Sequence, residues 1–228
     1  MKERIAIVGG TGRLGKGLAL RLMKEHEVLI GSRSKEKADT VAGEVVARAE
    51  KLYSTSGYKG RVEGEHNQSA VERSAFIILA VQAEQLELFL SAALNYRWDG
   101  KVVLSPITRM KRADGMLDYH PFESQGRMLS AAEFVQSKLS RAAVVSGLQL
   151  LPASALWREK EVAPYDIPMA GDETHVRYAM QVLSCIPNLR YLYAGPLHVS
   201  YLIESALPLL LNIAMKNGFN SPGLRVLA

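Results

Sequence analysis

Ile5-Ala6-Ile7-Val8-Gly9-Gly10-Thr11-Gly12-Arg13-Leu14-Gly15 is the stretch on which the fold turns. Four consecutive apolar residues without alternation fit a strand buried on both faces of a parallel sheet. A glycine-rich turn follows, and residues 14–24 then carry Leu14, Leu18 and Leu22 on one helical face, with Arg13, Lys16, Arg21 and Lys24 elsewhere. Gly10-x-Gly12-x-x-Gly15 between a strand and a helix is the fingerprint of a dinucleotide-binding βαβ unit, here spanning residues 5–37. The three glycines do different things. Gly10 permits the tight turn, Gly12 lets a pyrophosphate approach the backbone, and Gly15 lets the helix pack on the strand. The phosphates would rest on the unpaired N–H groups of the helix N-terminus. Gly10, Thr11, Gly12, Arg13, Leu14 and Gly15 are therefore the expected contacts.

The next strand, Val28-Leu29-Ile30, runs into Gly31-Ser32-Arg33. A site selective for NAD usually ends this strand in Asp or Glu, which bonds the ribose 2′-hydroxyl. No carboxylate stands here. Ser32 offers a hydroxyl, Arg33 offers charge-assisted bonds and a plane to stack on adenine, and Lys37 lies one turn into the next helix. The reading is NADP(H). Ser34 is placed to cap that helix, which the pattern carries to about residue 53, with Glu36 in its first turn.

Further along, strands are predicted near Val62 and over residues 75–81, 101–104 and 142–146, with helices over 83–96 and 130–139. Residues 105–128 read as a long connection. Alternating strands and helices imply an α/β, Rossmann-type, doubly wound parallel sheet. Ala80, Val81, Ser105 and Pro106, at the carboxyl ends of the fourth and fifth strands, should border the nicotinamide. After Leu150 the rhythm changes to a strand-like run at 167–170, a helix over 173–184, a strand over 189–193 and an apolar helix over 197–216. Residues 1–150 are thus expected as the NADP-binding domain and 151–228 as a smaller C-terminal α+β domain. The last helix is apolar around most of its circumference, which suits either a second subunit or a monomer core; Pro208 should kink it and Gly218 should cap it.

Bulk properties narrow the class. The chain has 228 residues, 48% of them hydrophobic and 22% charged, the balance of a globular protein rather than a disordered one. Its net charge of +5 comes from scattered basic residues. That favours a pocket for polyanionic small molecules over nucleic acid, with a merely basic surface as the plain alternative. Cys185 is alone and set in an apolar run, so no disulfide can form within the chain and an inert thiol is expected. The five histidines show no metal-ligand spacing, and no metal is expected. The first apolar run is too short and too soon broken by glycine for a signal peptide, and the last carries Glu204, Pro208 and Asn212. A cytoplasmic protein with no membrane partner is the expectation.

The glycine turn with Leu14-Gly15-Lys16-Gly17-Leu18-Ala19-Leu20-Arg21-Leu22, then Ile30-Gly31-Ser32-Arg33, resembles the NADP-dependent reductases of coenzyme F420. The likeness continues through Ser130-Ala131-Ala132-Glu133, Val144-Val145-Ser146, Pro152-Ala153, Ala194-Gly195-Pro196-Leu197, Glu204-Ser205 and Pro208-Leu209-Leu210-Leu211-Asn212-Ile213, and so spans the chain. It implies reversible hydride transfer between NADP(H) and the deazaflavin of F420 as co-substrate. It also implies a homodimer, an archaeal or actinobacterial type of metabolism, and rings stacked in a cleft between two domains. Such chemistry works by positioning, so no catalytic acid, base or nucleophile is expected. Gln149, where His or Asn is common, and Pro152-Ala153 would border the rings. His198 stands where a small polar residue is common, and Val81-Gln82-Ala83 lacks the expected proline. Arg109, Lys111 and Arg112 are candidates for the anionic tail of F420, or else a solvated cluster. Two other readings of the residues stay open: an NADPH-dependent reductase of a flavin, ferric chelate or small carbonyl compound, and a non-catalytic NADP(H) sensor.

Overall fold

The computed structural model describes residues 2–54, 57–158 and 162–227. The first unit forms as the pattern requires: β1 (Arg4–Val8), α1 (Arg13–Leu22) and β2 (Glu27–Ser32), with Ile5, Ala6, Ile7 and Val8 fully buried. Helix α2 (Lys35–Leu52) is capped by Ser34, whose side chain accepts from the Lys37 N–H, and β3 (Arg61–His66) pairs parallel to β2 over six residues. Then come α3 (Asn67–Glu72), β4 (Phe76–Leu79), a 3₁₀ turn at Ala83–Gln85, α4 (Leu86–Ala92) and β5 (Val102–Ser105).

Residues 105–128 depart from the expected plain connection. They hold two hairpins, β6 (Met110–Ala113) with β7 (Met116–Tyr119), and β8 (Phe122–Ser124) with β9 (Arg127–Leu129). Each turns on two residues of positive φ, Asp114-Gly115 at 49° and 76° and Gln125-Gly126 at 51° and 72°. Two-residue turns of this hand match the twist of the strands they join.

The remaining elements are α5 (Ala131–Lys138), β10 (Ala143–Ser146), α6 (Ala153–Trp157), β11 (Tyr165–Ala170), α7 (Glu173–Leu183), β12 (Leu189–Gly195), a second 3₁₀ turn at Leu197–Val199 and α8 (Ser200–Asn217). Eight strands share one sheet in the order β12-β11-β10-β5-β4-β1-β2-β3. The strands from β3 to β10 run parallel, and the order reverses between β1 and β4. The C-terminal part, expected as a smaller α+β unit, contributes β11 and β12 to this same sheet; β11 meets β10 antiparallel at Ser146 and Ala170. Helix α8 continues through Pro208 and ends at Gly218, φ +69°.

Two large apolar clusters pack the faces of the sheet. One gathers Ile5, Ile7, Leu18, Leu22, Ile30 and Phe76, and the other Ala6, Val8, Leu29, Ile77, Leu79 and Val103. This alternation along β1, β2 and β4 is what a sheet covered on both sides demands. Cys185 is half-buried, and burial pushes its thiol up to about 11, in keeping with an inert group.

Candidate dinucleotide and acceptor site

The glycine turn lies at the end of β1, beside the reversal of strand order, where open α/β sheets bind ligands. The turn itself falls on Gly9, φ +67°, rather than on Gly10. Gly9 is also hemmed in, since a Cβ there would lie 2.8 Å from Val81 Cγ1 and 3.2 Å from the Ala80 carbonyl oxygen. Gly10 is glycine for space: a Cβ would meet the Ile7 carbonyl oxygen at 2.5 Å. Its N–H donates to the Gly31 carbonyl at 3.0 Å, which ties the turn to β2. A Cβ on Gly15 would sit 2.2 Å from the Gly10 carbonyl oxygen, so only glycine lets α1 approach this closely.

Gly12 differs from all three. It is the N-cap of α1, no side chain caps it, and a Cβ there would meet nothing within 4 Å. The protein therefore has no packing reason for glycine at this position. The open space lies in front of the helix N-terminus, as a pyrophosphate requires. Thr11 is half-buried and Arg13 exposed on either side of it, and Leu14 packs against the core.

One residue escaped the sequence reading. Asn67, buried at the start of α3, accepts from the Gly9 N–H at 3.4 Å through Oδ1. The same oxygen would lie 2.8 Å from a Cβ on Gly31, so Gly31 is what admits it. Asn67 thus holds the turn from the side, and the bare Gly31 beside Ser32 is the only trace of it in the sequence.

At the carboxyl end of β2, Ser32 is buried and its Oγ accepts from the Ser34 N–H at 3.3 Å. Arg33 and Lys37 are exposed, and among the described residues neither meets a carboxylate. Their neighbour Lys35 is engaged, by Asp39 at 2.9 Å and by the Gly64 carbonyl at 3.1 Å. Two unpaired cations at the β2–α2 turn suit a phosphate.

The second group of expected residues lies at the carboxyl ends of β4, β5 and β10. Ala80 and Val81 are half-buried against Gly9. Ser105 is fully buried and opposite Ser146 in the sheet. Gln149 is buried too; its Nε2 donates to the Ser105 carbonyl at 2.9 Å and to Ser146 Oγ at 2.7 Å. A carbonyl can only accept, so the amide orientation is fixed and, among the described residues, Oε1 is left as an acceptor without a partner. Leu148, just before it, has φ +74°, a conformation a branched side chain rarely adopts. Pro152 and Ala153 lie apart from this group at the start of α6, where the Ala153 carbonyl oxygen and Leu156 face Gly17 of α1.

The basic residues of the first hairpin are spread out. The Arg109 guanidinium lies 4.8 Å over the Phe122 ring, Lys111 is exposed, and Arg112 bonds the Gly115 carbonyl at 3.5 Å. Beneath the hairpin lies Glu204 of α8, with no exposed surface. It accepts from the Ala131 N–H at 2.9 Å, the Ala132 N–H at 3.2 Å and the Tyr119 hydroxyl at 3.0 Å. Burial pushes its carboxyl up to about 7, against the opposing pull of these three donors. Among the described residues no group of three or more His, Cys, Asp or Glu side chains is arranged to hold a metal ion.

Comparison with known proteins adds the wider context. Residues 4–109 match the family model described as NADP oxidoreductase, coenzyme F420-dependent. The F420-dependent NADP reductase of Methanocaldococcus jannaschii is 31% identical, over 98% of this chain and 97% of its own. That of Methanothermobacter thermautotrophicus is 29% identical, over 99% and 95%. Among solved structures, a candidate F420-dependent NADP reductase from Arthrobacter sp. FB24 superposes with a TM-score of 0.77 at 17% identity, covering 99% of this chain and 100% of that one. A reductive aminase from Aspergillus terreus, solved with NADPH and ethyl-5-oxohexanoate, gives 0.59 at 16% identity, over 96% of this chain and 64% of that one. The two structural likenesses bear on the fold.

Proposed function

The chain belongs to the family of F420-dependent NADP reductases, and from that membership we propose how its residues serve the reaction. The enzyme catalyses reversible hydride transfer between NADP(H) and coenzyme F420. The observation that carries this conclusion is that 31% identity extends over 98% of the chain and not over the glycine turn alone.

The nicotinamide and deazaflavin rings supply the redox chemistry when bound, and the protein has to hold them at near-contact and keep water away. In our reading the Gly10–Gly15 turn receives the pyrophosphate in front of Gly12. Ser32, Arg33 and Lys37 receive the 2′-phosphate. Ala80, Val81 and Ser105 border the nicotinamide, and Gln149 Oε1, an acceptor lacking a donor, suits a carboxamide N–H. Pro152 and Ala153, at the start of α6 against Gly17 of α1, serve the wall of the cleft rather than a hydrogen bond. Residues 151–228 act as the smaller part that closes the acceptor side.

The same reading takes the protein as a cytoplasmic homodimer. Helix α8 is by length and composition apolar enough to cross a membrane, yet Glu204 and Asn212 on it bond the body of the protein. Its outer face presents Leu202, Leu209 and Ile213, spaced by seven and four residues and 53%, 60% and 43% exposed. A second copy of α8 would cover that stripe. Light scattering should give the mass of a dimer, reduced to that of a monomer by Leu209→Asp.

The decisive experiment mixes the protein with NADPH and oxidised F420 and follows the deazaflavin absorbance. Loss of that absorbance is expected. Reduction of free flavin with F420 left oxidised, or NADPH binding with no turnover of any acceptor, would overturn the assignment.

A further inference from the structure

The corner of the site beyond Ser32 also contains a histidine. His66 is the last residue of β3 and stands in register with Ser32, the last residue of β2. Neighbouring strands lie about 5 Å apart, so the two side chains leave adjacent strand ends. Both line one open depression of about 600 Å³, together with Arg33, Gln68, Arg73 and Arg97.

The charges around this depression divide into two sets. Arg73 is held by Glu65 at 2.6 Å, and Arg97 lies 3.7 Å from Glu72. These cations are already answered, and Glu65 is engaged by its own partner. Arg33 and His66 are exposed and, among the described residues, have no side-chain partner. The depression thus has a neutralised wall and one corner with uncommitted donors, bounded by Ser32, Arg33 and His66.

A ribose phosphomonoester presents three strong acceptor oxygens and close to two negative charges. The Ser32 hydroxyl and the Arg33 guanidinium cannot surround it alone, since both approach from β2 and the loop that follows. A further donor has to come from another element, and His66 at the end of β3 stands in register with Ser32. We propose that His66 is a specificity-determining residue of this site, donating to the 2′-phosphate of NADP(H) opposite Arg33. This inference rests on the reading of Ser32-Arg33 as the 2′-phosphate corner.

The test compares two fragments on the full-length protein by titration calorimetry, adenosine 2′,5′-bisphosphate and adenosine 5′-phosphate, which differ only in the 2′-phosphate. Wild type should prefer the first. His66→Ala should reduce that preference roughly five- to tenfold, the scale of one hydrogen bond to a charged group, and leave the second fragment's affinity unchanged. His66→Gln, which keeps a neutral donor, should restore part of the preference. His66 is an exposed strand-end residue, so both variants should fold, and circular dichroism checks that they do. If Arg33→Ala erases the preference while His66→Ala leaves it within a factor of about two, the role of His66 is overturned and the phosphate corner stands. If Arg33→Ala leaves the preference intact, the corner itself is misassigned and this inference falls with it.

Discussion

The turn after β1 and the turn after β10 both face the carboxyl edge of the sheet, and they are built on opposite principles. The first is made by leaving side chains out. Gly9 takes a positive φ without strain, Gly10 and Gly15 clear space for backbone, and Gly12 stays open. The second is made by burying polar side chains. Leu148 takes φ +74° although it is not glycine, while Gln149 ties Ser105 to Ser146 behind it. A non-glycine residue in that region costs of order 1–3 kcal/mol and persists where its surroundings enforce it. Bare backbone accepts any pyrophosphate, which every dinucleotide has. A fixed amide with one free acceptor selects among donors. The first turn is generic and the second is particular.

One added methyl group at either of two glycines of the first turn separates the two principles most sharply. Gly15→Ala puts a Cβ 2.2 Å from the Gly10 carbonyl oxygen, and backbone cannot swing aside as a side chain can. Denaturant unfolding should register a loss of about 3 kcal/mol, the upper end of overpacking penalties. Gly12→Ala meets nothing within 4 Å, so stability should stay within about 0.5 kcal/mol. NADPH affinity should nevertheless fall at least tenfold, about 1.4 kcal/mol, because the methyl occupies the ligand's space. Equal destabilisation by both changes would remove the distinction between packing glycine and ligand glycine.

That distinction also explains what could be read before the structure. Glycines are visible in a sequence because their spacing is local, so β1, α1, β2 and the glycine turn between them were all legible from about thirty contiguous residues. Glu204 was not, since its partners Tyr119, Ala131 and Ala132 lie more than seventy positions away. Asn67 was missed for the same reason: its bond to Gly9 crosses fifty-eight positions. The two hairpins are a different failure. Asp114-Gly115 is a strong local signal for a two-residue turn, but the charged strands around it lack the apolar alternation that would mark a half-buried sheet. The pairing of β10 with β11 is a long-range contact that no local pattern announces.

Glu204 extends the side-chain principle of the second turn and gives the next largest effect. Its carboxyl is raised from an ordinary 4.5 to about 7. A group raised in the folded state contributes stability that is complete below its unfolded value and is lost as pH climbs through the folded one. At about 1.4 kcal/mol per unit, stability should therefore decline by about 3 kcal/mol from pH 4.5 to 8 on account of this residue. Glu204→Gln has no charge to bury, so its unfolding free energy should lack this decline over the same range. Parallel pH profiles for the two proteins would show that the three donors, not burial, govern the carboxyl.

Gln149 asks whether the second turn is held as described. Gln149→Leu keeps the volume but strips the Ser105 carbonyl and the Ser146 hydroxyl of their shared donor. A cost of about 2 kcal/mol is expected for these buried groups. If Oε1 meets the nicotinamide carboxamide, the variant should also lose most of its preference for NADPH over the analogue bearing a 3-acetyl group in place of the amide. A stability loss with the preference intact would leave Gln149 as the brace of Leu148 and nothing more.

The smallest effect belongs to Asn67, where the two principles meet. It is a buried polar side chain, as at the turn after β10, serving the bare turn after β1. Its bond to the Gly9 N–H is long at 3.4 Å, so Asn67→Ala should cost only about 1 kcal/mol of stability. What it fixes is the angle at which the glycine turn leaves β1, held from the other side by the Gly10 bond to Gly31. Loosening one of two ties should raise the KM for NADPH a few-fold and leave kcat with saturating NADPH near wild type, because the full cofactor can reorder the turn as it binds. An equal fall in kcat would mean that the turn also sets the nicotinamide's position through Val81, and the first turn would then be less generic than its glycines suggest.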